Sequence, residues 1–188
     1  MIDAALDLFH RQGVNATSID QVLARTRTGK GQFSHYFGTK EGLVHAVLGH
    51  LHEVIERGET PTGYDVNTWK DLDGWFDQYI SYQRSVGCAR SCPIGTIGAD
   101  VGEAPLLRGD VRLFLQWSQG RLARFFAERK AAGELVPSAD PEALADFCIA
   151  VMQGGMLLTK MKRDTDMFEG AAAQARAYLR SLRVRKGK

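Results

Sequence analysis

The sequence predicts an all-α protein made of a small N-terminal module and a larger helical domain. Three observations carry this. Apolar residues recur at steps of three and four along most of the chain, and the strict alternation of strands is scarce. Helix starts are marked by Thr17-Ser18, Thr39 and Asp140-Pro141, side chains and ring geometry suited to a first turn. Glycine-rich breaks fall at Gly13, at Gly58 to Gly63 and from Gly87. With 188 residues, 44% apolar and 24% charged, the composition is that of a globular chain able to bury a core without staples. Disordered, collagen-like and disulfide-scaffold classes are excluded.

The elements follow in order. Ile2, Leu6 and Phe9 share one face of a first helix ending near Gly13. Thr17-Ser18 cap a short helix carrying Ile19, Val22 and Leu23, which turns around Thr26 to Gly29. A second short helix runs from Lys30 to Tyr36, with Phe33 and Phe37 inward. Thr39 caps a long helix whose stripe is Leu43, Val44, Val47, Leu48, Leu51 and Ile55. Gly58 to Gly63 is the domain boundary. Beyond it, Trp69 to Ile80 form a helix ending near Gly87. Val111 to Phe126 mark another, stopping near Gly133, and Asp140-Pro141 opens one that runs to about Lys162. Phe168, Ala172, Ala175, Leu179 and Leu182 give the last helix a heptad spacing.

The net charge of +2 is too small to announce a nucleic-acid binder, so any DNA face must concentrate its charge locally. Two aspartates interrupt the N-terminus, so no signal peptide is expected. The longest uncharged apolar stretch, between Asp146 and Lys160, is short of the about 20 residues that span a bilayer. A cytoplasmic protein with no membrane partner is expected. Cys88, Cys92 and Cys148 are odd in number and suit neither a secreted framework nor a zinc site. The five histidines all lie within the first 52 residues, but none of their spacings is a helical metal pair, so no metal or other cofactor is expected.

The two short helices joined by a tight turn have the plan of a helix-turn-helix. The second offers Thr28, Lys30, Gly31, Gln32, Ser34 and His35. Gln32 suits adenine in the major groove, Lys30 and Lys40 suit phosphates, and Thr17 or Ser18 present hydroxyls. Gly29 and Gly31 let the backbone approach a phosphate. Arg25 and Arg27 complete a basic cluster around the turn, while Asp3 and Asp7 lie on the first helix.

The run Ala4-Ala5-Leu6-Asp7-Leu8-Phe9, then Gly13, Thr17-Ser18-Ile19 and Gly29-Lys30-Gly31-Gln32-Phe33-Ser34-His35-Tyr36-Phe37-Gly38-Thr39-Lys40-Glu41-Gly42-Leu43, resembles the DNA-binding domain of TetR-type transcriptional regulators. The resemblance implies a DNA-binding domain over 1–48, a linking helix over 39–57 and a C-terminal ligand-binding and dimerisation domain over 64–188. It implies a homodimer that binds double-stranded operator DNA and leaves it when a small-molecule effector binds. It adds His35 and Tyr36 to the DNA-contacting set. The chain departs from the pattern at Arg27, where glycine is usual, at Gly29, where serine often caps, and at Ser34, where an aromatic is common. Relatives often carry a basic arm ahead of the first helix. Here either its phosphate contacts are lacking or the natural start lies upstream.

Pro93 after Cys92 predicts a helix with the thiol at its N-cap, where the helix dipole and Arg90 favour thiolate. A cysteine-based electrophile or redox sensor is therefore an alternative reading, with packing at a turn the plainer one. The Cys-Pro-Ile-Gly string, together with Val151 to Leu158, resembles an LmrA- and YxaF-like branch. A thiol-dependent enzyme is the rival from another class. The C-terminal domain has no histidine to serve as base, and no phosphate loop or serine elbow exists, so no catalytic residue is expected. Trp75, Phe76, Tyr79, Tyr82, Phe114, Trp117, Met152 and Met156, with Cys92, suit an adaptable apolar ligand site. The helix from Asp140, apolar nearly all round, predicts a second buried face. That face is expected to meet a partner subunit through the last two helices, with Gly154, Gly155 and the alanines 171 to 177 allowing close approach.

Overall fold

A computed structural model describes residues 1–184; Arg185, Lys186 and Lys188 of the basic tail lie outside it. Every regular element among the described residues is an α-helix: α1 Ile2–Gln12, α2 Ile19–Thr26, α3 Lys30–Tyr36, α4 Lys40–Glu56, α5 Trp69–Ser85, α6 Pro93–Asp100, α7 Pro105–Ala131, α8 Pro141–Lys162 and α9 Asp166–Ser181. The caps are those the sequence announces. Ser18 Oγ accepts from Gln21 N while the Gln21 side chain accepts from Ser18 N, a capping box. Thr39 accepts from Gly42 N, and Asp140 accepts from Glu142 N and Ala143 N with Pro141 in the first turn. Thr68 and Asp71 form a second capping box at α5, and that hydrogen bond to Thr68 holds the Asp71 carboxyl below its usual range.

By packing, the chain divides into two units. The first joins Met1–Thr60 to Arg90–Phe114, and the second joins Pro61–Ala89 to Leu115 onward. Packing thus places residues 90–114 with the N-terminal module, unlike the cut at Gly58 to Gly63. The reason is non-local. In the first unit α1 packs on both α4 and α6, and Ile94 and Ile97 of α6 are buried with Ala5, Phe9, Leu43 and Val47.

The second unit buries Trp75 and Phe76 of α5, Leu122, Phe125 and Phe126 of α7, Cys148, Met152 and Met156 of α8, and Phe168 and Ala172 of α9. Helix α9 runs antiparallel to α5. Arg176 donates to the Asp73 carbonyl at 2.7 Å and to Asp77 at 2.5 Å, while Arg84 at the other end of α5 reaches Glu169 at 2.6 Å. Helix α9 packs tightly on α8 at Gly155, where a Cβ would collide with the Phe168 ring.

By length and hydropathy α8 would suffice to cross a membrane, unlike the shorter uncharged run counted from the sequence. Its Leu144, Ala145, Cys148, Met152 and Met156 are buried against the rest of the fold, the position of a core helix.

Candidate functional site

Helix α3 has seven residues, and Phe33 is its only buried side chain. One such anchor contributes roughly 2–3 kcal/mol, and the rest of the helix commits nothing to the core. Lys30, Gln32, Ser34, His35 and Tyr36 all face solvent, Tyr36 at 69% exposure. The His35 ring meets the Tyr36 ring edge-on at 4.9 Å. Phe37 is half-buried and packs beside Phe33. The next joint is tight: a Cβ on Gly42 would occupy the place of the Phe37 carbonyl oxygen, so only glycine lets α4 begin there.

The turn between α2 and α3 is made by Arg27 in the left-handed region, φ 54°. A non-glycine residue there carries a strain of about 1 kcal/mol. Arg27→Gly should therefore raise the melting temperature by a few degrees while weakening DNA binding, because it removes an exposed cation beside α3. Thermal unfolding and duplex titration on the same variant check both halves.

Ion pairs redistribute the basic cluster expected from the sequence. Asp7 of α1 gathers Arg25 at 2.6 Å, Arg90 at 3.0 Å and Arg11 at 3.1 Å. Lys30 lies 3.5 Å from Asp20, with both side chains exposed. Arg27 and Lys40 have no such partner among the described residues. The sequence counted Asp7 as remote from the turn, but folding α1 against α2 brings its carboxylate to Arg25. Burial pushes the Asp7 carboxyl up. The Arg11 hydrogen bond and the charges of Arg11, Arg90 and Arg25 outweigh that and hold it below the usual carboxylate range.

This depressed value stabilises the fold above the unfolded carboxylate range, near pH 4. The contribution is lost as pH falls through the lower folded value. Asp7→Asn should thus lower stability at pH 7 and flatten its acid dependence below pH 4, measured by urea unfolding at stepped pH.

One of the hydroxyls does not stand as expected. Thr17 is buried, 1% exposed, and donates to the Gly13 carbonyl at 2.7 Å, so it is not presented to a phosphate. Its place is set by the α1–α2 corner, where Gln12 also reaches it. Thr28 shares a 2.7 Å hydrogen bond with Thr26. Ser18 remains exposed at the N-cap of α2.

The histidines mostly serve the first unit. His10 is buried and its Nε2 lies 2.6 Å from the Ser91 carbonyl. His45 pairs with Asp110, His50 with Asp3, and His52 meets the Phe114 ring edge-on. His45 is exposed, whereas His10 is buried because α6 packs over that side of α1. Among the described residues no group of three or more potential ligands converges as a metal site.

Of the ligand-site residues, Trp75, Phe76, Tyr79, Tyr82, Trp117, Met152 and Met156 belong to the second unit, Cys92 and Phe114 to the first. Tyr64, which the sequence left inside a loop, is buried in the second unit and packs against Trp75, Tyr79 and Trp117. The Trp75 indole N–H donates to the Gly63 carbonyl at 2.7 Å. Met152 and Met156 are fully buried core side chains. Cys92 does cap α6, but it is 5% exposed, whereas a sensor thiol reacts as an accessible thiolate. Burial pushes the Cys148 thiol up to about 12, which keeps it inert.

On the outer side of α8 and α9 lies a groove of about 840 Å³ lined by Ala143, Phe147, Val151, Ala171, Gln174 and Tyr178, among others. Leu157, Met161, Met167 and Tyr178 are exposed on the same two helices. The small residues divide between two tasks. Gly155, Ala172 and Ala175 are buried within the chain, while Ala173 and Ala177 face outward.

A short, outward helix held by one anchor, preceded by a capped helix and a tight turn and braced by α1 and α4, is the helix-turn-helix of a DNA-binding transcriptional regulator. Residues 1–47 match the model of bacterial regulatory proteins of the tetR family, and residues 68–175 match the tetracyclin repressor-like C-terminal domain. The chain belongs to the TetR family. It is 31% identical over 180 residues to an uncharacterized HTH-type transcriptional regulator in the lacX 3′ region of Lactococcus lactis, covering 90% of this chain and 86% of that one. It is 24% identical over 170 residues to the HTH-type transcriptional repressor DhaR of a Mycobacterium species, covering 88% and 83%. The fold matches the crystal structure of a regulatory protein TetR from Rhodobacter sphaeroides with a TM-score of 0.81, at 24% identity and covering 94% and 95%.

Proposed function

We propose that the chain is a cytoplasmic, ligand-responsive repressor of the LmrA- and YxaF-like branch, released from a near-palindromic operator by a small, largely apolar molecule. The observation that carries the DNA half is α3, whose side chains other than Phe33 are left to the solvent. In this reading Gln32 reads a base, and Ser18, Arg27, Lys30, His35, Tyr36 and Lys40 position the helix on phosphates and groove edges, with Thr28, Gly31 and Ser34 at the surface of contact. The chain acts as a homodimer through α8 and α9. Support comes from the exposed Leu157, Met161 and Tyr178 and from the groove between those helices. Two recognition helices then enter successive major grooves about 34–36 Å apart.

The effector is held in the second unit, where Tyr64, Trp75, Tyr79 and Trp117 pack together and Met152 and Met156 line α8. It lowers operator affinity by binding the released state more tightly than the DNA-bound one.

Selection of bound duplexes from a random pool tests this reading, and recovery of inverted repeats with half-sites one turn apart is the expected result. On that operator, Lys40→Ala should weaken specific and nonspecific duplexes about equally. It should also reduce the slope of log affinity against log salt by about one. Recovery of no preferred duplex overturns the reading.

A further inference from the structure

Two polar side chains in the interior of the second unit have no hydrogen-bond partner among the described residues. Gln83 is fully buried, and both its amide nitrogen and its amide oxygen are unsatisfied. The hydroxyl of Thr159, 1% exposed, is unsatisfied too. A buried amide left unpaired at both ends is costly, and such groups in native folds call for a reason. Gln83 closes the buried stripe of α5 that contains Leu72, Trp75, Phe76, Tyr79 and Ile80; every other member is apolar or aromatic. Thr159 closes the buried stripe of α8 after Met152, Gly155 and Met156.

The contacts of α9 set the register of these two ends. Arg84, the neighbour of Gln83, binds Glu169 in the first turn of α9. Phe168, beside Glu169, covers Gly155, one turn before Thr159. Helix α5 packs on α8 as well as on α9. Both orphaned side chains therefore lie at the same end of the α5, α8 and α9 set. The Arg84–Glu169 pair stands outside it, more than a third exposed on each side.

We infer that Gln83 and Thr159 form the polar subsite of the effector site. Its ligand is an uncharged apolar molecule bearing a donor and an acceptor side by side: a carboxamide, a lactam or an undissociated carboxyl group. A glutamine amide offers one N–H and one C=O in the complementary pair, and Thr159 adds a hydroxyl that donates or accepts. Among the described residues no lysine or arginine is buried to balance a carboxylate here, so the charged form is refused by desolvation. The inference rests on the effector-responsive reading above and gives it a ligand class.

The test uses the full chain and two matched series, primary carboxamides from butanamide to decanamide with benzamide, and hydrocarbons of the same shape, including α-methylstyrene for benzamide. Binding is read by thermal shift, and operator release by duplex titration. Carboxamides should bind at least about tenfold more tightly than their hydrocarbon partners, the worth of two modest hydrogen bonds. Gln83→Leu should raise the melting temperature of the ligand-free protein, since it removes an unsatisfied amide. It should also abolish the carboxamide preference while leaving operator binding and hydrocarbon binding in place. Thr159→Val should reduce that preference in part.

Equal binding of both series overturns the subsite. So does a Gln83→Leu protein that melts lower and keeps the preference, the result expected if buried water satisfies the amide. A Gln83-dependent carboxamide shift with no change in operator affinity would uphold the subsite and overturn the effector-responsive reading instead.

Discussion

Gly155→Val is expected to destabilise the chain by about 3 kcal/mol, the upper range for forcing atoms into a packed core. The ideal Cβ at this position already falls on three carbon atoms of the Phe168 ring. Phe168 is wholly buried and cannot swing to solvent, so the relief must come from separating α8 and α9. Alanine recovers about 1 kcal/mol of helix propensity over glycine, which makes Gly155→Ala milder without cancelling the clash. The adjacent Gly154 is the control. A Cβ there meets nothing within 4 Å in the chain, so Gly154→Ala should leave the fold unharmed or stabilise it by up to about 1 kcal/mol. Denaturant unfolding of the three variants checks the order. Equal losses at both glycines would contradict the packing of Phe168 on α8.

Gln32→Ala should leave the melting temperature unchanged and cost operator affinity about 1–3 kcal/mol per half-site. Gln32 is exposed on α3 and has no hydrogen bond to the rest of the chain among the described residues, so nothing in the fold depends on it. In a homodimer the loss occurs twice. The expected total of about 2–6 kcal/mol is roughly a thirtyfold to twenty-thousandfold loss. Nonspecific duplexes should be bound as before, because phosphate contacts do not pass through this amide. A variant with full operator affinity would remove Gln32 from the reading set.

What the sequence made legible was local. Ser18 with Gln21, Thr39, and Asp140 with Pro141 are start signals carried within a few residues, and each stands where its pattern places it. The exposed side chains of α3 were legible for the same reason, since one buried position in seven leaves the others outward. Side-chain partnerships across the fold were not. Asp7 meets Arg90 across more than eighty positions, and His10 meets the Ser91 carbonyl across 81. No periodicity encodes either contact. Thr17 was misplaced because a threonine beside an N-cap looks available until the α1–α2 corner closes over it. Tyr64 sits in a glycine-bounded loop, and only its ring neighbours reveal it as core. Gln83 reads in sequence as one more polar residue near a helix end. Its complete burial emerges only when α8 and α9 cover α5.

The fit of Gly42 against the Phe37 carbonyl also has a mechanical meaning. With no space for even a methyl group, and with Thr39 bonded to Gly42 N and its carbonyl to Leu43 N, the link from α3 to α4 has no slack. In the proposed switch, α3 and α4 turn as one lever. Helix α4 has 17 residues, a rod of about 25 Å. A tilt of about 5° at one end carries the other through about 2 Å over that length. Two such levers in a dimer change the separation of the reading helices by about 4 Å, against a groove repeat of about 34–36 Å. Gly42→Ala would force that joint apart, and the readout is the coupling between effector and operator, measured apart from either affinity alone.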